Sequence, residues 1–121
     1  MATASGHTEA IQASRVIGTD VYNTAGEHIG SIEDVMLDKT SNNIMFAVIG
    51  FGGFLGIGEK YHAIPWSTLD YDPAHGGYVV PFTKEQLKAA PVHDISDLTN
   101  GDGTKARDAS YDYYKVPPYW V

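Results

Sequence analysis

Short apolar runs separated by turn-forming residues dominate this chain, and they predict strands rather than long helices. Ala13 to Gly18 leads into Asp20-Val21-Tyr22-Asn23, and Thr24-Ala25-Gly26-Glu27 then supplies the small residues of a tight hairpin turn. The segment His28 to Asp38 fits two periods. Ile29, Ile32 and Met36 satisfy helical spacing, whereas Gly30 and the flanking turns favour a strand. As a strand, Ile29 points one way, Ile32 the other, and Val35 and Leu37 return to the first face. That path requires a bulge or sharp coil between Gly30 and Asp34.

After the polar turn Lys39 to Asn43, the run Ile44-Met45-Phe46-Ala47-Val48-Ile49 is apolar on both faces. One face fills the interior, and the other must meet a helix, the chain termini or a second subunit. The glycine-rich run Gly50 to Gly58 interrupts it, and Glu59 to Trp66 reads as a further strand, with Pro65 marking its end or a sheet edge. Asp70 to Gly77 has the composition of a turn, and Tyr78-Val79-Val80 is a short final strand. Thr83 with Gln86 forms a capping-box pattern that opens a short helix over residues 83–90, halted by Pro91. The pattern therefore predicts a mostly β fold, a small β-barrel with one short helix. Residues 1–12 read as a flexible lead, 13–92 as the barrel domain, and 93–121 as a linker and aromatic C-terminal tail.

Composition narrows the chemistry. At 121 residues the chain has room for one compact domain, and the absence of cysteine removes thiol catalysis, Cys-based zinc sites and disulfides together. Fifteen acidic against eight basic residues give a formal charge of -7, which disfavours nucleic acid and acidic lipid surfaces as partners. Met1 to Gln12 lacks a basic and apolar leader pattern, and no run approaches the roughly 20 apolar residues that span a bilayer. The expectation is a cytoplasmic chain without direct membrane insertion.

Four segments in register resemble the PRC-barrel family. They are Ser14 to Tyr22 with Gly26 to Asp34, then Gly53 to Lys60, then Ile64-Pro65-Trp66, then Thr83 to Pro91, and together they cover about residues 13 to 92. The resemblance implies a small, SH3-like β-barrel of the kind found in the cytoplasmic part of the photosynthetic reaction-centre H subunit and in the C-terminal domain of a ribosome-maturation factor. Many members are free-standing bacterial proteins. The family has no shared catalytic constellation to carry over, so the resemblance implies architecture and a bias toward binding roles. This chain lacks the H subunit's membrane-spanning helix and the second domain of the ribosome factor, so neither specific role transfers.

The candidate catalytic and ligand motifs fail on detail. Gly53 and Gly58 have phosphate-loop spacing, but Glu59 and Lys60 stand where Lys and Ser or Thr are required, and Leu55 displaces the third glycine of a dinucleotide fingerprint. His7, His28, His62, His75 and His93 show no metal-binding spacing, although distant residues such as His62 can meet in a fold. Glu33, Asp34 and Asp38 beside His28 are better read as a solvated strand end than as a divalent-cation site. Asn100-Gly101-Asp102-Gly103 reads as a turn, since Ser96 and Leu98 occupy the places of a first calcium ligand. No serine sits in a nucleophile elbow. No catalytic residue, cofactor or metal is expected.

The remaining apolar material points to contacts. Phe51, Phe54, Leu55 and Ile57 in the glycine-rich loop are unusual for solvent, and Tyr111, Tyr113, Tyr114, Tyr119 and Trp120 crowd the last eleven residues. The tail either packs on its own barrel or lies across a partner subunit, with Pro117-Pro118 keeping its end extended. The leading expectation is a non-catalytic interaction module, a homodimer that buries Met45, Ile49, the loop tip or the aromatic tail. A small-molecule or ion-binding regulatory module, with tyrosine hydroxyls and His62 as anchors, and an accessory to a membrane electron-transfer complex are the alternatives.

Overall fold

The computed structural model describes residues 10–50, 61–93, 98 and 103–120. A single helical turn, α1 (Ala13–Val16), precedes strands β1 (Asp20–Asn23), β2 (His28–Leu37), β3 (Ile44–Gly50) and β4 (Tyr61–Pro65). A 3-10 turn (Trp66–Thr68) leads to β5 (Asp70–Asp72) and β6 (Gly77–Val80), then to α2 (Lys84–Ala89) and α3 (Thr104–Tyr114). The strands form one mixed sheet in the order β4-β3-β2-β1-β6-β5, in which only the β1–β6 pairing is parallel.

Connectivity forces this sheet to curl. Laid flat, its two end strands would stand about 24 Å apart. The chain passes from Pro65 at the end of β4 to Asp70 at the start of β5 through four residues, which reach at most about 17 Å even when extended. The sheet's ends must therefore turn toward each other in a barrel-like form without closing a ladder among the described residues. Three irregularities supply the curvature. Ile29 is the extra residue of β2 against Val21 and Tyr22, Glu33 the extra residue against β3, and Met45 the extra residue of β3 against Met36 and Leu37.

These bulges also decide which side chains meet. Ile29 and Ile32 both enter the barrel core, whereas Leu37, expected on the face of Ile29, is 63% exposed. The strand coils through two bulges, and simple alternation fails along it. β3 is buried on both faces as its sequence requires. Ala47 and Ile49 join Val21, Ile32, Ile64, Val80 and Leu87 inside the barrel, while Phe46 and Val48 join Met45, Ala63, Leu98 and Ala106 outside it. Met45 and Phe46 share the outer cluster although adjacent, because the bulge breaks alternation between them.

α2 forms as its capping box predicts, with the Gln86 amide donating to Thr83 Oγ1 at 3.1 Å and the Thr83 amide donating to Gln86 Oε1 at 2.8 Å. Two expectations need correction. Asp70–Asp72 is a strand rather than part of the turn, because it pairs with β6 and sets Tyr71 edge-on to Tyr78 at 5.3 Å between ring centroids. The C-terminal region, read as a linker and aromatic tail, carries an eleven-residue helix over Thr104–Tyr114.

Candidate interaction surface

α3 covers the outer face of β3 and β4. Its buried residues are Ala106, Ser110, Tyr111 and Tyr114, a helical spacing that sets a small side chain and hydroxyls against the sheet. The hydroxyls meet carbonyls that the ladder leaves over. On β4 the amide and carbonyl of Tyr61 are exchanged with His93, both at 2.9 Å, so by antiparallel alternation the backbone groups of Ala63 also point away from β3. The Ser110 hydroxyl donates to that Ala63 carbonyl at 2.7 Å, and the Tyr111 hydroxyl donates to the carbonyl of the bulged Met45 at 2.9 Å. Pro65 lies at the same open edge, where a missing N–H costs nothing, and its carbonyl accepts from Thr68 Oγ1.

The helix ends in a Schellman motif with Lys115 in the left-handed region, at φ 59°. The Val116 amide donates to the Tyr111 carbonyl and the Lys115 amide to the Asp112 carbonyl. Pro117 and Pro118 follow, and the chain folds back so that Tyr119 and Trp120 lie against α3. Trp120 stands edge-on to Tyr111 at 4.8 Å between centroids, Tyr119 lies 5.1 Å from Trp120, and the Arg107 guanidinium sits 3.7 Å over the Trp120 ring. The Tyr119 hydroxyl donates to Asp38 Oδ2 at 2.7 Å. That bond, with the amides of Thr40 and Ser41, holds the Asp38 carboxyl below its ordinary range, while burial first and Asp38 second push the Tyr119 phenol up to about 12. Arg107, Tyr119 and Trp120 remain partly exposed, and together they form an aromatic corner with one cation, paired with Asp108 at 3.0 Å, and the Asp38 carboxylate anchored by Tyr119.

The expected contact residues divide accordingly. Met45 and Ile49 are buried, Met45 beneath α3 and Ile49 inside the barrel, so neither offers surface to a partner. Phe51, Phe54, Leu55 and Ile57 lie outside the described residues. Tyr113 donates to the Gln86 carbonyl at 2.6 Å, and Tyr114 packs in the barrel core 4.4 Å from Phe82. The tail thus lies on its own barrel, and Tyr119 and Trp120 remain partly open to a partner. Ser110, Arg107 and Asp38 were not anticipated. The spacing of 106, 110, 111 and 114 was the available signal, masked because Ala and Ser do not register as strongly apolar.

Other chemistry-bearing groups lie elsewhere. Tyr22 stands between His28 and His75, at 5.5 and 4.7 Å between centroids, and these imidazoles contact Asp20 and Asp72 at 3.0 and 2.9 Å. His62 is fully buried on β4, and burial, with the nearby charge of His93, drives its pKa down to about 4. Among the described residues no three His, Cys, Asp or Glu side chains are grouped to hold a metal ion. His28 pairs with Asp20, and Asp34 accepts from the Val35 amide. Among the described residues, no helix is long and apolar enough to cross a membrane.

The Tyr114 hydroxyl is buried with no hydrogen-bond partner among the described residues, and burial raises its pKa well above the ordinary phenol value. Tyr114→Phe should therefore leave stability unchanged or raise it by about 1 kcal/mol. Tyr111→Phe, which strips the Met45 carbonyl of its donor, should lower it by about 1 kcal/mol. Urea midpoints of the two variants check the opposite signs.

In comparison with known proteins, a family model for the PRC-barrel domain matches residues 8–87. No curated protein matches the chain. α3 and the aromatic corner lie beyond the matched stretch, except for Asp38.

Proposed function

The chain belongs to the PRC-barrel domain family, and from that premise we propose that it is a non-catalytic interaction module that self-associates through its C-terminal aromatic corner. The observation that carries this reading is the corner's composition and support. Trp, Tyr and Arg are the side chains most enriched where interface energy concentrates, and here Arg107 lies over Trp120, Tyr119 meets Trp120 edge-on, and all three are partly exposed, with the two rings packed against α3. Such side chains have little freedom left to lose on binding, which lowers the entropic cost of association. Leu37, the most exposed large aliphatic side chain among the described residues, immediately precedes the Asp38 that anchors Tyr119.

A homodimer is the simplest occupant, because a twofold contact brings two copies of one patch together. Trp120 is its own reporter once Trp66 is replaced by Phe. In that variant, emission from Trp120 should move to longer wavelength on dilution, as dissociation exposes the ring to water. Emission that stays constant from micromolar to millimolar concentration would remove Trp120 from any self-association interface.

A further inference from the structure

We infer that α3 is a strap that is helical only while docked, and that it releases the outer face of β3 and β4 without unfolding the barrel. The sequence of this helix gives it little stability of its own. At eleven residues it falls below the length at which isolated helices persist in water, roughly 12 to 15 residues. Thr, Asp, Ser and three Tyr fill over half of Thr104–Tyr114, and all are poorer helix formers than Ala. Its N-cap, Gly103, supplies no side-chain acceptor, and its C-terminal left-handed position is held by Lys115 instead of glycine. Lys105 toward the N-terminal end and Asp112 in the last turn oppose the helix dipole, Arg107 is paired with Asp108, and only Lys115 at the C-terminal cap favours it.

Tertiary contacts supply what the sequence withholds. Ser110 is bonded to Ala63, Tyr111 to Met45 and Tyr113 to Gln86, and the strap's end is latched by Tyr119 on Asp38. Every one of these partners belongs to the stretch matched by the family model, and every donor lies beyond it. The barrel's own ladders, β1 with β2 and β2 with β3, use no residue of the strap. Undocking therefore costs the strap its helix, withdraws Tyr114 from its place beside Phe82 at the margin of the barrel core, and bares Met45, Phe46, Val48 and Ala63, while the main ladders stay paired. The strap does not depend on self-association.

Native-state hydrogen exchange on the full chain, read by mass spectrometry, tests this. Amides of Thr104–Tyr114 should exchange through an opening separate from that of Ile44–Gly50. Tyr119→Phe should speed them by about tenfold, the scale of one lost hydrogen bond to a carboxylate, without changing Ile44–Gly50. Lys115→Gly, which relieves the left-handed lysine, should slow them. If the amides of α3 exchange at the rate of Ile44–Gly50 in the wild type, and the Tyr119 variant moves both segments together or neither, the strap opens only with global unfolding and the inference is overturned.

Discussion

Alanine at Gly77 should cost the fold about 2–3 kcal/mol, more than alanine at Gly18, Gly26, Gly50, Gly76 or Gly103. Gly77 opens β6 where that strand runs parallel to β1, the pairing that joins the first hairpin to the last. A Cβ there would lie inside the contact distance of the Asp20 carbonyl oxygen and 3.1 Å from Cε2 of Tyr22. The first obstacle is backbone within the sheet, so relief requires β1 and β6 to move apart rather than a side chain to swing. Gly76 provides the contrast. It has φ +68° but nothing within 4 Å of a built Cβ, so Gly76→Ala meets only the left-handed penalty of about 1–2 kcal/mol. Urea unfolding should place Gly77→Ala lowest, and a loss under about 0.5 kcal/mol would mean that the β1–β6 junction is looser than the structure has it.

His62 should make the protein lose stability in mild acid. Its imidazole is buried and neutral in the fold, with a pKa of about 4 against an ordinary value of 6.5. The unfolded chain therefore takes up this proton first. The contribution is complete above pH 6.5 and is lost as pH falls toward 4, amounting to about 3 kcal/mol across that window. Asp38, Asp72 and Glu27, whose carboxyls are held below their ordinary values by hydrogen bonds, lose their contributions at lower pH, so the upper part of the acid limb belongs to His62. Replacing His62 with Phe should flatten the limb between pH 6.5 and 4.5 in a series of urea midpoints. An unchanged slope would show that the imidazole is already protonated in the fold.

Legibility in the sequence followed the range of each interaction. The capping box at Thr83 and Gln86, the hairpin at Gly26 and the edge position of Pro65 are written in neighbouring residues, and each forms as its local chemistry predicts. The double burial of β3 was equally plain, because six consecutive apolar residues need two covers. Which element supplied the outer cover was not, since Ala106 and Ser110 earn their place only through the Met45 bulge and the open edge at Ala63. β5 was hidden for a related reason. Asp70-Tyr71-Asp72 has turn composition, and it becomes a strand through its pairing with β6. The aromatic richness of the last eleven residues marked the right region, yet the bond from Tyr119 to Asp38 spans 81 positions and the stacking of Arg107 on Trp120 needs the chain reversal after Pro118.

Self-association through the aromatic corner is tested most directly by light scattering across a dilution series, run on the wild-type chain and on Trp120→Ala side by side. The account predicts twice the 13.1 kDa of one chain for the wild type at high concentration. It also predicts a dissociation constant at least about tenfold weaker for the variant, as befits loss of a central aromatic contact. A wild-type mass of a single chain at every concentration, or a dimer indifferent to Trp120, would contradict it.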